Sequence, residues 1–377
     1  MTQKPVIGVI GLGAMGLGIA QVFAQAGHRV IATDAQEAAR SAARKRLADT
    51  LDQRVNAGKL AAGERDAAMA NLVIADEVAA MAPARLVVEA VVEDLGIKQA
   101  LFAEVERHAA PDAVLATNTS SLPVAAIMSR LAHPQRGIGL HFFNPAPVMK
   151  LVELVLPPVA SKAAADFARD VTVAAGKTVI ACQDRPGFIV NRCARPFYGE
   201  ALAMLEEGRS ASDIDAAMLK AGYRMGPFSL IDLIGADINL AATRGLAAAM
   251  GGHPRYHVFD ALTRQVASGH LGRKSGQGFL YPGAPGEAPS DSDEIALRIE
   301  AALANEAAHL AAESGLAPGD IDTAMKLGLN LPRGPFEAAR RHGSEKIIAV
   351  LDALEAAAPP SLKGRYQPSA ALRGKDI

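Results

Sequence analysis

The feature that most constrains the fold lies near the N-terminus, where an apolar strand leads directly into a glycine-rich turn and a helix. Residues 6–10 (VIGVI) are typical of a buried parallel strand, and the next segment, GLGAMG, places glycines at Gly11, Gly13 and Gly16. In this setting Gly11 permits a tight turn, Gly13 lets a pyrophosphate approach the backbone, and Gly16 lets the helix pack closely on the strand. The pattern predicts a dinucleotide-binding unit at the start of a doubly wound, Rossmann-type α/β sheet.

The residue that ends the second predicted strand indicates which dinucleotide binds. Residues 29–33 form this apolar strand, and Asp34 follows it about 20 residues after the glycines, where a carboxylate accepts hydrogen bonds from the adenosine ribose. No arginine follows immediately to receive a 2′-phosphate, so the sequence favours NAD as the cofactor. NADP and FAD are the alternatives that the pattern leaves open.

Length and composition limit the other classes of protein. A chain of 377 residues exceeds what one hydrophobic core supports, so we expect more than one domain. Half of the residues are hydrophobic and the net charge is −1, which favours a globular protein with no nucleic-acid partner and no membrane partner. Two cysteines, Cys182 and Cys193, fit neither a disulfide framework nor a metal-binding spacing, so we expect no metal and a reduced, cytoplasmic location.

The rest of the first predicted domain, residues 1–185, combines a helical insertion with further strands. Residues 35–71 show helical spacing with a break near residues 56–58, which predicts a helical hairpin standing off the sheet. This hairpin is either a solvated surface or a basic arm for a phosphate-bearing substrate, with Arg54 and Lys59 as candidates. We expect the later strands at residues 85–90, 113–117, 137–142, 151–156 and 177–181.

Polar residues at the ends of these strands predict a catalytic site. Ser120 follows one strand and His141 lies near the end of the next, and ligands bind at the carboxyl ends of strands in open α/β sheets. Glu153 alternates with apolar residues, so we expect it to be buried, and His141 is its obvious partner. Such a pair can act as a general base. The structural alternative is a core histidine and an unrelated glutamate at a strand edge.

Several motifs together resemble those of the L-3-hydroxyacyl-CoA dehydrogenases. They are NTSSL at 118–122, HFFNPAPVMKLVE at 141–153, PGFIVNR at 186–192, GPF at 226–228 and GRKSG at 272–276, in the family's order over about residues 5–281. The resemblance implies NAD-dependent oxidation of a 3-hydroxyacyl-CoA, as in fatty-acid β-oxidation. It also implies a Rossmann domain followed by a helical domain.

The same resemblance implies roles for individual residues. His141 would be the general base, Glu153 would orient it, and Ser120 and Asn191 would hydrogen-bond the substrate oxygens. Glu93, Lys98 and Lys274 would lie on the cofactor side, although a Glu and a Lys five positions apart are also typical of an exposed surface pair. The family's helical arm binds coenzyme A, which supports the phosphate-binding interpretation of the basic residues in the predicted hairpin.

The region after residue 185 contains an internal repeat. SDIDAAM at 212–218 recurs as GDIDTAM at 319–325, GPF at 226–228 recurs at 334–336, and RY at 255–256 recurs at 365–366. We therefore predict two all-helical domains, residues 186–281 and 295–377, joined by a linker at 282–294. In the alignment of the two copies Leu297 replaces Asn191, which indicates one active site per chain. We expect the second copy to pack on the first as an intrachain pseudo-dimer, giving a monomer or a weak homodimer.

Other functions share parts of this pattern. The β-hydroxyacid dehydrogenases share the glycine motif but use a catalytic lysine on the following helix, where this chain carries Asn191 and Arg192. The gulonate 3-dehydrogenase branch shares the fold and much of the site but acts on a free sugar acid. A non-catalytic NAD-binding relative is the third alternative. The sequence leaves the acyl chain length and the metabolic pathway open.

Overall fold

The computed structural model describes residues 4–374 and contains two compact units, one ending at Phe188 and the other beginning at Ile189. The outermost residues of the predicted domains, 1–3 and 375–377, lie outside the described residues.

An eight-stranded sheet forms the N-terminal unit, as the sequence predicts. The strand order is β3-β2-β1-β4-β5-β6-β7-β8, and neighbouring strands are parallel except for the antiparallel pair β6 and β7. Its strands are β1 (Ile7–Ile10), β2 (Val30–Thr33), β3 (Leu72–Ile74), β4 (Leu86–Glu89), β5 (Val114–Thr117), β6 (Gly137–Phe142), β7 (Leu151–Leu156) and β8 (Thr178–Gln183).

Helices cover this sheet and bury its apolar strands, because parallel strands joined by helical crossovers are covered on both faces. The glycine-rich turn leads into the first helix, and the helical hairpin breaks at residues 57–61, close to the predicted break. The helices are α1 (Ala14–Gln25), α2 (Glu37–Asn56), α3 (Ala62–Asn71), α4 (Leu95–His108), α5 (Val124–Met128) and α6 (Lys162–Ala174).

Two features of the sheet differ from the sequence analysis. The short strand β3 was not predicted, because three residues directly after a helix carry too little periodicity to identify a strand. The sequence also gave no direction for β7. Its antiparallel pairing with β6 sets His141 directly opposite Glu153, which brings together two residues that are twelve positions apart in the chain.

The described part of the C-terminal unit is helical and shows the repeat. The first copy contains α7 (Val190–Cys193), α8 (Arg195–Glu206), α9 (Ala211–Lys220), α10 (Pro227–Ile234), α11 (Ala236–Ala249) and α12 (Asp260–Ala267). The second copy contains α13 (Ser292–Ser314), α14 (Pro318–Leu329), α15 (Pro335–His342), α16 (Ser344–Ala357) and α17 (Ala370–Arg373). Helix α13 begins inside the segment predicted as a linker, so the irregular connection is shorter than expected.

The repeated DID and GPF motifs form the same local structure in both copies. In the first copy the Asp215 carboxylate accepts hydrogen bonds from the backbone N–H groups of Phe228 at 2.9 Å and Ser229 at 2.8 Å, at the start of α10. Asp322 does the same at the start of α15 in the second copy. A Cβ atom at Gly226 would lie 2.2 Å from the Asp215 carboxyl carbon. In each copy an aspartate distant in the chain therefore caps the N-terminus of a helix, and the glycine leaves space for the aspartate carboxylate.

Buried ion pairs join the two copies in a reciprocal pattern. Arg192 of the first copy binds Glu306 at 2.6 Å and Glu313 at 2.8 Å on α13. Arg298, its counterpart in the second copy, binds Glu200 at 3.1 Å on α8 and also pairs with Glu207. The same pairing thus occurs twice with the roles of the copies exchanged, which is the pattern of an isologous interface.

Candidate active site

The antiparallel pairing of β6 and β7 sets a histidine against a buried glutamate. His141 Nδ1 lies 2.6 Å from Glu153 Oε2, and Glu153 is completely buried. Both the burial of Glu153 and its partnership with His141 agree with the expectation from the sequence. An Nδ1–H group that donates to this carboxylate leaves Nε2 as the nitrogen that can exchange a proton.

Two phenylalanine rings and a buried thiol lie near this pair. The ring of Phe143 lies 4.5 Å from the imidazole ring of His141, and that of Phe188 lies 5.8 Å away, measured between centroids. Burial raises the pKa of the Cys182 thiol, and the negative charges of Glu153 and Asp184 raise it further. Cys182 is therefore a neutral thiol near the pair, and the carboxylate of Glu153 is directed at the histidine.

The loop that carries Ser120 is held by Glu93. One carboxylate oxygen of Glu93 accepts hydrogen bonds from the Thr119 hydroxyl at 2.5 Å, the Ser120 backbone N–H at 3.1 Å and the Ser121 backbone N–H at 3.2 Å. Burial alone would raise the pKa of Glu93, but the bond from Thr119 and the charge of Lys98 outweigh it, so the pKa is lowered. Glu93 is thus a carboxylate that fixes the geometry of the serine loop.

Lys98 is not a surface residue, so the structure excludes the exposed-pair interpretation of its spacing from Glu93. Only 1% of its side chain is exposed, and its Nζ lies 2.6 Å from Glu89 and 3.2 Å from Glu93. Glu89, at the end of β4, also accepts a hydrogen bond from the Thr117 hydroxyl at 2.7 Å, and the Thr117 hydroxyl accepts from the Thr119 N–H at 3.2 Å. Lys98 therefore bridges two carboxylates that both support the serine loop.

Glu89, Thr117 and Asn118 are residues that the sequence analysis did not select. Glu89 interrupts an otherwise apolar strand, which is the signal that could have identified it. Asn118 accepts a hydrogen bond through Oδ1 from the Phe142 N–H at 2.8 Å, one residue after His141. The loop of Ser120 and the strand of His141 are thereby joined.

Lys177 holds the loop between β6 and β7. Its Nζ donates hydrogen bonds to the backbone carbonyls of Ala146 at 2.5 Å and Met149 at 2.8 Å. Burial lowers the pKa of Lys177 to about 8, and the nearby charge of Lys150 acts in the same direction. The sequence analysis placed Lys177 only at the start of a strand, because its partners are backbone atoms about 30 residues away.

The glycine-rich turn opens on a cleft suited to a dinucleotide. The cleft has a volume of about 730 Å³ and is lined by Gly11, Gly13 and Asp34 together with apolar side chains from α4. Gly11 has φ +100°, which L side chains rarely adopt, and a Cβ at Gly16 would lie 1.8 Å from the Gly11 carbonyl oxygen. At Gly13, the N-cap of α1, nothing lies within 4 Å of an added Cβ. The turn therefore fits a bound pyrophosphate at the helix N-terminus.

Asp34 and Arg40 both line this cleft. The Asp34 carboxylate accepts hydrogen bonds from the Leu12 N–H at 2.7 Å and the Gln36 N–H at 2.8 Å, and each oxygen keeps a further lone pair. Arg40 donates to the Asp34 backbone carbonyl at 2.8 Å and lies 3.4 Å from Asp76. No arginine follows Asp34 immediately, as the sequence shows, but the first turn of α2 brings Arg40 back to the Asp34 backbone.

The two candidate residues for coenzyme A lie on the hairpin. Arg54, in the last turn of α2, approaches the Gln25 side chain at 3.5 Å, and Lys59 is exposed in the connection to α3. Both residues therefore lie near the end of the hairpin at which α2 connects to α3.

Asn191 and Lys274 belong to the C-terminal unit. Asn191 lies on the single turn of α7, and its backbone carbonyl accepts a hydrogen bond from Arg195 Nε at 3.1 Å. Lys274 forms an ion pair with Asp237 in the first turn of α11, and about 40% of each side chain is exposed. The pKa of Asp237 is lowered, mainly by its hydrogen bond with Lys274.

The glycine-rich turn, the cleft and the buried histidine–glutamate pair define an NAD-dependent oxidoreductase on a Rossmann-type sheet. Family models agree with this assignment. That of the 3-hydroxyacyl-CoA dehydrogenase NAD-binding domain matches residues 6–185, and that of the C-terminal domain matches residues 187–281 and again 295–375. The chain belongs to the 3-hydroxyacyl-CoA dehydrogenase family, and NAD is its cofactor.

Individual relatives show the same similarity. The 3-hydroxybutyryl-CoA dehydrogenase of Mycobacterium tuberculosis H37Rv is 42% identical over 281 residues, which are 72% of this chain and 96% of that protein. The 3-hydroxyadipyl-CoA dehydrogenase of Escherichia coli K12 is 41% identical over 282 residues, 74% of this chain but only 59% of its own length. A solved structure of 3-hydroxybutyryl-CoA dehydrogenase from Escherichia coli K12 has a TM-score of 0.90 and 31% identity, covering 98% of this chain and 97% of its own.

Two further properties concern residues 4–374 alone. Within this range no helix has the length and apolar character that crossing a bilayer requires. The same residues contain no cluster of three or more His, Cys, Asp or Glu side chains arranged to hold a metal ion.

Proposed function

We propose that this chain catalyses the reversible oxidation of (S)-3-hydroxyacyl-CoA to 3-oxoacyl-CoA with NAD. The observation that carries the proposal is the 2.6 Å contact between His141 and the fully buried Glu153 in a member of this family. A reaction that removes a proton from a hydroxyl group and a hydride from the same carbon needs one base beside the cofactor, and this pair provides it. NAD held in the cleft lined by Gly11, Gly13 and Asp34 would supply the acceptor for the hydride that leaves C3 of the substrate.

His141 performs the proton transfer in this proposal. Glu153 accepts a hydrogen bond from Nδ1–H, which fixes the tautomer and favours the imidazolium form after the proton has moved. Nε2 takes the proton of the 3-hydroxyl group as the hydride leaves C3, and returns a proton to the 3-oxo group in the reverse direction. The neighbouring Phe143 ring limits water access to the imidazole.

Ser120 and Asn191 provide hydrogen-bond donors to the substrate oxygens in the proposed mechanism. A donor contributes most when it is already fixed where negative charge develops. Glu93 accepts hydrogen bonds from the serine loop, and the buried Glu89–Lys98 pair supports that loop through Thr117, which together favour this role for Ser120. We also propose that Gly11, Gly13, Gly16, Asp34, Glu93, Lys98 and Lys274 are the cofactor-side residues.

The phosphate-bearing nucleotide part of coenzyme A is proposed to lie on the hairpin, away from the reacting thioester end of the substrate. Arg54 and Lys59 are its proposed phosphate contacts, which is supported by the exposed position of Lys59. The names of the relatives cover both a short monocarboxylic chain and a dicarboxylic chain, so the substrate is proposed at the level of 3-hydroxyacyl-CoA.

The decisive experiment compares NADH oxidation with acetoacetyl-CoA and with free acetoacetate, and NAD reduction with gulonate. We expect turnover with the CoA ester alone. Turnover with gulonate alone would move the chain to the sugar-acid branch, and inactivity with all three substrates would favour a non-catalytic NAD-binding protein.

The variant His141→Gln tests the mechanism within the same assay. It should lower kcat by at least about a thousandfold, because it removes the base, while the affinity for NADH is unchanged. His133→Gln, which alters an exposed histidine on the same unit, is the matched control and should be as active as wild type. Wild-type activity of His141→Gln would contradict the mechanism.

We further propose a domain organisation, an oligomeric state and a cellular location for the enzyme. The domains are residues 1–185, 186–281 and 295–377, and the last two form an intrachain pseudo-dimer, so the protein is a monomer or a weak homodimer. The reciprocal ion pairs of Arg192 and Arg298 support this arrangement. We also propose a cytoplasmic location, which is supported by the buried thiols Cys182 and Cys193.

A further inference from the structure

Arg195 differs from the other deeply buried arginines of the C-terminal unit. Arg192 and Arg365 bind buried carboxylates, whereas Arg195 donates from Nε to the Asn191 carbonyl at 3.1 Å and from Nη1 to the Thr243 hydroxyl at 3.0 Å. Its guanidinium carbon also lies 5.0 Å from the centre of the Tyr198 ring. Burial lowers the pKa of Arg195, which is the direction expected for a cation held by neutral groups. Such a group is costly to bury, so its presence needs a reason.

A break in the helix between Asn191 and Arg195 explains in part why an arginine is buried here. Helix α7 is a single turn, and α8 starts two residues later because Pro196 has no N–H for an intrahelical bond and its ring crowds the preceding turn. In the second copy Ala302 replaces this proline, and α13 continues without interruption. The turn that carries Asn191 is thus partly detached from α8, and the Arg195 side chain ties its carbonyl to Thr243 on α11.

Comparison with the second copy shows whether the helical fold itself requires Arg195 and its polar neighbours. That copy uses the same helices and the same reciprocal ion pairs, but it has lost the whole polar group around Arg195. Counterparts in the aligned helices are Ala301 for Arg195, Ala304 for Tyr198, Ile347 for Asn239 and Leu351 for Thr243, and all four are fully buried. The position of Asn191 is Leu297 in the same copy. The buried arginine therefore accompanies Asn191, while the helical fold forms without it.

We infer that Arg195 is a positioning residue that, together with Thr243, holds Asn191 in the orientation needed to bind the substrate oxygen. This inference rests on the proposed function, since it needs Asn191 to contact substrate. Nε of Arg195 fixes the carbonyl of the Asn191 turn, and Nη1 anchors the same guanidinium to the hydroxyl of Thr243. That hydroxyl in turn donates to the Asn239 carbonyl at 2.8 Å. The planar guanidinium donates both hydrogen bonds in a fixed relative geometry, which a lysine cannot reproduce.

A double-mutant cycle tests whether Arg195 acts through Asn191. Arg195→Met should lower kcat/KM for acetoacetyl-CoA about tenfold, because small displacements of a positioned group are costly. In the Asn191→Ala background the same substitution should change kcat/KM by less than about twofold, since the group it positions is already gone. Arg195→Lys should fall between wild type and Arg195→Met. The melting temperature of each variant is measured alongside.

Thr243→Val keeps the arginine and removes only its anchor, so it tests the inference even if Arg195→Met fails to fold. We expect about a threefold to tenfold loss of kcat/KM that disappears in the Asn191→Ala background. The matched control is Thr323→Val on α14, because Thr323 makes the same bond to the carbonyl four residues earlier, at 2.7 Å. That control should retain wild-type kcat/KM.

The outcomes separate this inference from the proposed function. Equal losses for Arg195→Met with and without Asn191, or wild-type kcat/KM in Arg195→Met and Thr243→Val while Asn191→Ala is impaired, would overturn the positioning role alone. An Asn191→Ala variant as active as wild type would overturn the role of Asn191 and with it the positioning inference, but not the proposed reaction. A wild-type protein inactive on acetoacetyl-CoA would overturn the proposed function as well.

Discussion

Glu89 accepts three hydrogen bonds although its side chain is completely buried. They come from the Val91 N–H at 2.6 Å, Lys98 Nζ at 2.6 Å and the Thr117 hydroxyl at 2.7 Å. A buried charge of this kind is tolerated only when a counter-ion and further donors replace the lost water. At the scale of single residues, the fully buried Glu89 and its partner Lys98 therefore support the loop of Ser120 through the hydroxyl of Thr117.

Lys177 gives a pH-dependent prediction at the same scale. Its pKa of about 8 in the folded protein lies below the usual value of 10.5, so between these two values the unfolded chain retains a proton that the folded protein releases. The free energy of unfolding of wild type should therefore increase relative to that of Lys177→Met as the pH rises from 8 to about 10.5. Below pH 8 the difference between the two proteins should be constant. The neutral amine keeps two N–H groups for its two carbonyl partners.

Urea unfolding at several pH values checks this prediction. Lys45→Met, which alters a largely exposed lysine of α2, is the matched control. A wild-type advantage over Lys177→Met that fell as the pH rose would contradict the lowered pKa.

At the scale of secondary structure elements, the sequence predicted those strands and helices that are marked by hydrophobic periodicity and by turn residues. The strands of His141 and Glu153 begin and end at the predicted residues, and the hairpin breaks near its glycine. The three-residue strand β3 was missed because local sequence carries no signal for so short an element. The direction of β7 depends on pairing across the sheet, which no local pattern contains.

The same reasoning explains which parts of the site were found. His141 and Glu153 are polar residues within apolar strands, so they are visible in the sequence. Lys98 and Glu93 lie in a polar segment and resemble a surface pair, and only tertiary contact shows that Lys98 is buried against Glu89. Contacts between distant segments therefore account for the rest of the site.

The helical hairpin gives the prediction for this scale. Lys59→Ala should raise KM for acetoacetyl-CoA about fivefold with little change in kcat, because one charge-assisted contact with a phosphate contributes about 1 kcal/mol. KM for acetoacetyl-N-acetylcysteamine, which has no phosphates, should be unchanged. Lys45→Ala on the same hairpin serves as the control, because Lys45 is already paired with Asp49 at 2.7 Å. Equal effects on both thioesters would show that Lys59 does not contact a phosphate.

At the scale of the whole molecule, the reciprocal ion pairs indicate how the duplicated region is used. Each copy contributes an arginine and two glutamates to the other, and the family model of the C-terminal domain matches both copies. Helix α8 of the first copy packs against α13 of the second. The interface between copies is therefore satisfied within one chain.

Sedimentation equilibrium tests this arrangement. We expect a mass near 39.1 kDa, that of one chain, because the reciprocal ion pairs between the two copies already form within one chain. A tight species of twice that mass whose interface maps to the helical region would contradict the intrachain pseudo-dimer.

Joining the two copies by a short connection also changes how their interface responds to dilution. Two separate subunits associate according to their concentration, whereas two copies in one chain meet at an effective concentration set by the connection, of millimolar order for a short flexible one. We therefore expect the interface to remain formed in a dilute assay, and the specific activity to be independent of the enzyme concentration.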